Sequence, residues 1–459
     1  MAPSKKTAAE MDVKAKGDPS KGLFIQMLTR DISLADCIVD LLDNSVDGIR
    51  AEYHRQKRAI PAAEAYKGFH VYVTFDEKHF SIEDNCGGIP VTVAVDYAFC
   101  FGRRDDDDRE LATSGSIGLY GIGMKRSIFK MGKIIDLVSS TGTESFILPL
   151  NVEEWRKQKD PDDPERDVWD FTLQEVERRA TDVPKGTTLK ITDLYKDISG
   201  EFRTPGFMNQ LILSLRRQYA FIIQNGLLLK INGHTVTPIM PTFRIGKDLA
   251  PMRVKQTFQN VEFEVVAGMS SPPPDDDSAT SNYPDAEVYG WYVICNDRVI
   301  VSADKTSLTT WGPQPLPAWH NQYNGFLGLL RFTSEDPRLL PWTTTKRSVD
   351  VSSSVYKQAL IPARVAARQF VDYTNHRKGD VRRLKKLESA TLSESLSSVA
   401  PQERMKLPKP AAKKTVRIQY DAPKAMVEAV AEALELDRVS AVQVGLKTFE
   451  YFVEREIGD

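Results

Sequence analysis

Four cysteines, Cys37, Cys86, Cys100 and Cys295, are scattered through 459 residues, without a CxxC pair or a histidine cluster beside them. That spacing excludes a zinc ribbon and a disulfide framework, and it fits buried thiols in a reducing compartment. No apolar run reaches the roughly 18 residues a membrane helix needs, and the Lys- and Ala-rich stretch 1–20 has no signal-type apolar core. The chain is therefore expected to be soluble and cytoplasmic, with a flexible N-terminal arm. Excess charge is also missing: the net charge is -2 although 27% of residues are charged. Whole-chain electrostatics thus favour neither nucleic acid nor membrane, and any basic surface must be local. A GxxxxGK[ST] loop is absent too, which excludes a P-loop phosphate site.

What is present begins at Ala35–Gly48. Asp36, Asp40, Asn44 and Asp47 recur at four- and three-residue steps and share one helix face, while Ile38, Leu41, Leu42 and Val46 point to a core. Gly48 is expected to end this helix. Alone, the pattern describes an amphipathic helix with a solvated acidic face.

Downstream, 69–75 and 79–84 alternate as two strands of a hairpin, and the second runs into Asp84-Asn85-Cys86-Gly87-Gly88-Ile89. An acid at a strand end before a glycine turn lets a flat ligand approach the backbone while the carboxylate accepts a hydrogen bond. A long polar connection, Val91 to Ser116, carries Asp105–Asp108 and reads as a mobile loop. It leads to Gly118-Leu119-Tyr120-Gly121-Ile122-Gly123-Met124-Lys125, a GxxGxG run entering a helix, where backbone N–H groups can cradle phosphates. Lys185-Gly186-Thr187-Thr188 then opens an alternating strand; strand propensity alone explains Thr187 as well as a functional role does.

Taken in this order, Asp-x-x-x-Asn, Asp-Asn-x-x-Gly, GxxGxG and Gly-Thr-Thr resemble the GHKL ATPases (gyrase, heat-shock chaperone, histidine kinase, MutL), with Phe101–Arg104 and Tyr120–Lys125 most similar to the prokaryotic MORC-like branch. The resemblance implies an α+β chain: a split-β (Bergerat-type) ATPase sandwich, an α+β transducer domain and a small C-terminal strand-helix-helix module. Its expected boundaries are 1–20 for the arm, 21–200 for the ATPase, 201–375 for the transducer, 376–414 for a basic linker and 415–459 for the last module. ATP and Mg²⁺ are the implied cofactors. By the same resemblance Asn44 holds the metal, Asp40 is the general base, and Asp84, supported by Thr187, accepts the adenine amine. Gly88 and Ile89 complete that turn, Gly118, Gly121 and Gly123 wrap the phosphates, Lys125 adds charge, and Val91 to Ser116 is the lid. Two positions depart from the family: Asp40 stands where glutamate is usual, one methylene short, so hydrolysis is expected to be slow. Cys86 stands where glycine is common.

In the second half, strands are expected at 227–231, 259–267 and 289–301. The resemblance implies a transducer lysine that reaches the γ-phosphate; Lys346 is the first choice and Lys305 the competitor. Between Arg377 and Arg417 lie twelve Lys or Arg against four acids, a basic helix and tether. The end, a strand at Thr415–Tyr420 and two helices with Ser440 and Gln443 as a capping box, resembles a ribbon-helix-helix module, which implies that Thr415, Arg417 and Gln419 face DNA. A docking or dimerisation hairpin is the alternative. The leading functional expectation is an ATP-gated homodimeric clamp on DNA in a restriction or defence setting, with restriction-modification proteins as partners. The alternative is a chaperone-like or scaffolding ATPase acting on protein clients.

Overall fold

The computed structural model describes residues 20–61, 63–101, 122–179, 183–275, 286–343, 346–409, 416–434 and 440–457. The expected N-terminal arm, most of the expected lid with Asp105–Asp108, and both Gly118 and Gly121 lie outside them. Residues 1–410 form one compact unit and residues 411–459 a second. None of the helices among the described residues is long and apolar enough to cross a membrane.

The first unit is α+β and holds two large sheets. In the first, eight strands run in the order β5-β4-β3-β6-β2-β1-β7-β8. They are β1 (His70–Phe75), β2 (His79–Asp84), β3 (Gly132–Ser140), β4 (Ser145–Asn151), β5 (Gln174–Glu177), β6 (Gly186–Leu194), β7 (Leu228–Ile231) and β8 (His234–Thr235). The hairpin signal is realised as β1 and β2, antiparallel with Val71 opposite Asp84. Alternation buries Val71, Val73, Phe75, Phe80 and Ile82 on one face. Strand β7 lies parallel to β1, so the strand at 227–231, grouped in sequence with the region after residue 200, completes the first sheet.

Helices α1 (Lys21–Arg30), α2 (Leu34–Arg55) and α3 (Gly123–Met131) pack with this sheet. Ser33 caps α2, its Oγ accepting from the Asp36 N–H at 3.2 Å. Contrary to expectation, Gly48 does not end α2. An interior glycine weakens a helix by about 1 kcal/mol relative to alanine, but here a Cβ would lie 2.7 Å from the carbonyl oxygen of Cys86. The glycine lets the Asp84–Gly88 turn press against the helix.

The second sheet runs β10-β11-β14-β12-β13: β10 (Met252–Phe258), β11 (Val261–Met269), β12 (Gly290–Cys295), β13 (Arg298–Asp304) and β14 (Phe326–Thr333). The stretch 289–301, expected as one strand, is a hairpin. Its turn residues Asn296 and Asp297 adopt φ of 47° and 66°, the left-handed pair a tight two-residue turn requires. Helix α4 (Ser354–Arg377) buries Tyr356, Ala359, Ala363, Ala366 and Phe370 at helical spacing against this sheet.

The expected basic tether is folded through residue 409. Helix α5 (Val381–Ser389) buries Leu384 and Glu388, and the Arg377 guanidinium closes on Glu388 at 2.8 Å. Strand β15 (Leu392–Glu394) pairs with β9 (Phe243–Ile245). In the second unit, helices α6 (Lys424–Ala433) and α7 (Ala441–Phe452) are present, and Ser440 Oγ accepts from the Gln443 N–H at 3.4 Å. The strand expected at Thr415–Tyr420 is not formed among the described residues: 416–420 carry no ladder, because an extended segment needs a neighbouring strand for its amides. Thr415 lies outside the described residues.

Candidate functional site

Three adjacent strands build the floor of one pocket. Thr187 on β6 is the register partner of Asp84 on β2 and of Ser139 on β3, so the three side chains stand in a row across the sheet. Asp84 Oδ1 accepts from the Cys86 N–H at 2.9 Å and the Thr187 N–H at 3.3 Å, and Oδ2 accepts from the Ser45 hydroxyl at 2.7 Å. Burial pushes the Asp84 carboxyl above the usual carboxylate range, partly offset by those hydrogen bonds. Three donors leave one lone-pair direction on Oδ2 for a ligand N–H.

Two glycines make the approach possible. At Gly186, φ is +141° and a Cβ would sit 1.8 Å from the Asp84 carbonyl oxygen; at Gly88, φ is +67° and a Cβ would sit 2.0 Å from that of Ser140. Gly88 therefore presses the turn onto β3, and the Ile89 N–H donates to Ser139 Oγ at 2.8 Å. Cys86, the departure from the glycine-rich pattern, is buried beneath the turn, where its Sγ meets the His70 carbonyl at 3.7 Å.

Above this floor the walls are apolar, built by Leu41, Ile82, Met124, Leu137 and Leu189, and the polar lining includes Asn44, Ser45, Asp84 and Thr187. Apolar walls with a few convergent polar groups suit a flat heteroaromatic ring. Asn44 is exposed at the pocket, and its amide makes no hydrogen bond among the described residues. Among the described residues, no group of three or more His, Cys, Asp or Glu could hold a metal alone. A hard divalent cation at Asn44 would take its remaining oxygen ligands from phosphates and water, as Mg²⁺ does at nucleotide sites.

Beside the pocket, outside its lining, the charges of α2 and α3 are already paired. Asp40, 7% exposed, accepts from the Arg126 Nε at 2.6 Å. Gly123 opens α3, with its Cβ position 3.5 Å from the Asp40 carboxyl. Lys125, expected at the phosphates, does not line the pocket. Successive residues of a helix point about 100° apart: Met124 faces the pocket, Arg126 faces Asp40, and Lys125 is buried, donating to the Ala98 carbonyl at 2.8 Å. Burial lowers its pKa to about 8.

Asp43, off the acidic stripe, is 1% exposed and accepts from the Tyr219 hydroxyl at 2.6 Å, Arg298 Nε at 3.1 Å and Lys346 Nζ at 3.1 Å. Burial alone would raise its pKa, but Lys346, Arg298 and Tyr219 outweigh it and hold the carboxyl below the usual range. Next along the chain, Arg347 pairs with Asp36 at 2.6 Å. The acidic side of α2 is thus neutralised by cations from elsewhere rather than solvated. Lys305 lies apart, its Nζ 5.1 Å from the centre of the Trp319 ring.

The sequence reading missed Ser45, Ser139, Arg126, Tyr219 and Arg298. It also missed Asp43, which had a legible signal: it follows Leu42 on the buried side of an amphipathic helix, and a buried acid requires a cation. The two serines had none, because only strand and helix register brings them to Asp84 and Thr187.

No curated protein matches the chain. Residues 32–182, which hold α2, the Asp84 turn, α3 and the strands up to β5, match the family model described as histidine kinase-, DNA gyrase B-, and HSP90-like ATPase.

Proposed function

We propose that the chain binds ATP with Mg²⁺ in the Asp84 pocket and hydrolyses it slowly. The observation that carries this reading is the acceptor of Asp84 beside the hydroxyl of Thr187 at the floor of an apolar slot. Asp84 would take the exocyclic amine, Asn44 would hold the metal, and Gly118, Gly121 and Gly123 would line the phosphates. Mg²⁺ would supply charge neutralisation at the phosphates. Asp40 is the residue we assign to activating water. One of its oxygens is held by Arg126, so it reaches water through the other, and its side chain is short for the task.

Lys346 is our assignment for the lysine that senses the terminal phosphate: its loop already meets α2 at Asp43, one residue before Asn44. On this reading ATP brings two copies together as a MORC-like clamp on DNA. Arg417 and Gln419 are exposed on the unpaired segment of the second unit, which supports contact with DNA. The 377–417 stretch contributes less positive charge than its composition implies. Arg377 is buried on Glu388, Lys385 pairs with Asp275, and Arg383 pairs with Asp380.

The test is the mass of the protein in solution with and without a non-hydrolysable ATP analogue, followed by DNA retention across a salt series. A doubling of mass with salt-sensitive retention supports the DNA clamp. A doubling without DNA retention moves the client to protein, and an unchanged mass removes the clamp.

A further inference from the structure

Ser139 does not line the pocket, yet it touches two groups that do. Its Oγ accepts the Ile89 N–H at 2.8 Å and lies 3.1 Å from Thr187 Oγ1, with the Gly186 carbonyl oxygen at 3.5 Å. A hydroxyl has one proton to give. The contact at 3.5 Å is at the limit of a hydrogen bond, whereas 3.1 Å is an ordinary one. Either hydroxyl can donate across the 3.1 Å contact; where Ser139 donates to Thr187 rather than to the Gly186 carbonyl, the Thr187 oxygen is occupied as an acceptor and its own proton turns toward the pocket.

We propose that Ser139 is the positioning residue that selects the base, by fixing Thr187 as a hydrogen-bond donor beside the acceptor Asp84. This deepens the adenine-nucleotide reading above and rests on it. An acceptor and a donor side by side match a ring that presents an amine next to an unprotonated ring nitrogen, the arrangement of adenine at N6 and N1. Hypoxanthine and guanine present a carbonyl oxygen next to N1–H, the reverse at both positions. Asp84 cannot donate when ionised, so it rejects the carbonyl; Thr187 held as a donor rejects the N1–H. Without Ser139 the Thr187 hydroxyl is free to rotate and accept, and half of the discrimination goes.

The experiment measures binding of ATP and inosine triphosphate by calorimetry to the full chain and to Ser139→Ala, Thr187→Val and the double variant. Ser139→Cys keeps the side-chain volume with a weak donor and replaces Ser139→Ala if that variant does not fold, as judged by its thermal transition. Wild type is expected to prefer ATP strongly. Ser139→Ala should shrink the ATP-to-inosine-triphosphate ratio by about tenfold, the scale of one hydrogen bond made or lost at a buried site. In the Thr187→Val background the same serine change should leave the ratio unaltered, a coupling that mere loosening of the turn would not produce. A ratio preserved in Ser139→Ala or Ser139→Cys, or shrunk equally in both backgrounds, overturns the role of Ser139 while leaving the ATP site standing. Failure of wild type to bind ATP, or to prefer it, overturns the adenine reading itself.

Discussion

The pocket at Asp84 and the charged contacts beside it at Asp40 are built on opposite principles. At the Asp84 end, three neighbouring strands fix a carboxylate, a hydroxyl and a turn by register, and the remaining acceptor faces open space. At the Asp40 end, every acid of α2 just described is already satisfied: Asp36 by Arg347, Asp40 by Arg126, Asp43 by Arg298 and Lys346. A preorganised end binds without rearrangement, whereas a self-neutralised end must exchange partners before it acts. On the proposed reading, recognition is built into the fold and turnover is conditional.

The largest expected effect breaks the preorganised end. Gly186→Val would drive a branched side chain into the Asp84 carbonyl, 1.8 Å from its Cβ position, at a backbone φ of +141°. It should abolish ATP binding and lower stability by on the order of 4 kcal/mol in urea titration. Next comes the Asp43 cluster. Arg298→Ala leaves a buried carboxylate short of a cation, a loss of about 3–5 kcal/mol when one partner of a buried pair is removed, measured in the same way. Because the Asp43 pKa is held low in the folded state, its contribution is present above the ordinary carboxylate value and is lost as pH falls through the lowered one. In Arg298→Ala, acid unfolding should therefore begin at higher pH.

A smaller effect sharpens the contrast at Asp84. Its pKa is raised, so on acidification it takes up a proton above the ordinary value of about 3.9, and ATP affinity should fall from that higher pH downward. Ser45→Ala removes a hydrogen bond that favours the ionised form, so it should move the fall higher still, as a pH series of binding isotherms would show. The smallest effect is at Lys125. Its ammonium is buried on the Ala98 carbonyl, so Lys125→Met should change ATP affinity by less than about threefold, within the scatter of substitutions that remove no ligand contact.

Legibility in the sequence followed the range of the forces involved. The hairpin over 69–84 could be read because alternation is local, and the Asp84 turn because its glycines mark it. Gly48 resembles a helix end in the sequence because the reason for it is a distant carbonyl, that of Cys86. Asn296-Asp297 is masked as a turn because apolar residues dominate the stretches on either side, although that pair tolerates the left-handed backbone of a tight turn. Motif position puts Lys125 at the phosphates, whereas its helical phase turns it into the core. Ser139 and Arg298 belong to contacts between segments far apart in the chain, which no local pattern encodes.

The most direct measurement is the calorimetric affinity for ATP with Mg²⁺ of Asp84→Ala and Asp40→Ala beside wild type. The account predicts that Asp84→Ala loses about a hundredfold or more, because a charged acceptor goes and three protein donors are orphaned with it. It predicts that Asp40→Ala still binds within about tenfold of wild type while its hydrolysis is lost, since that carboxylate holds Arg126 and not the base. Equal binding by Asp84→Ala and wild type, or loss of binding confined to Asp40→Ala, would contradict it.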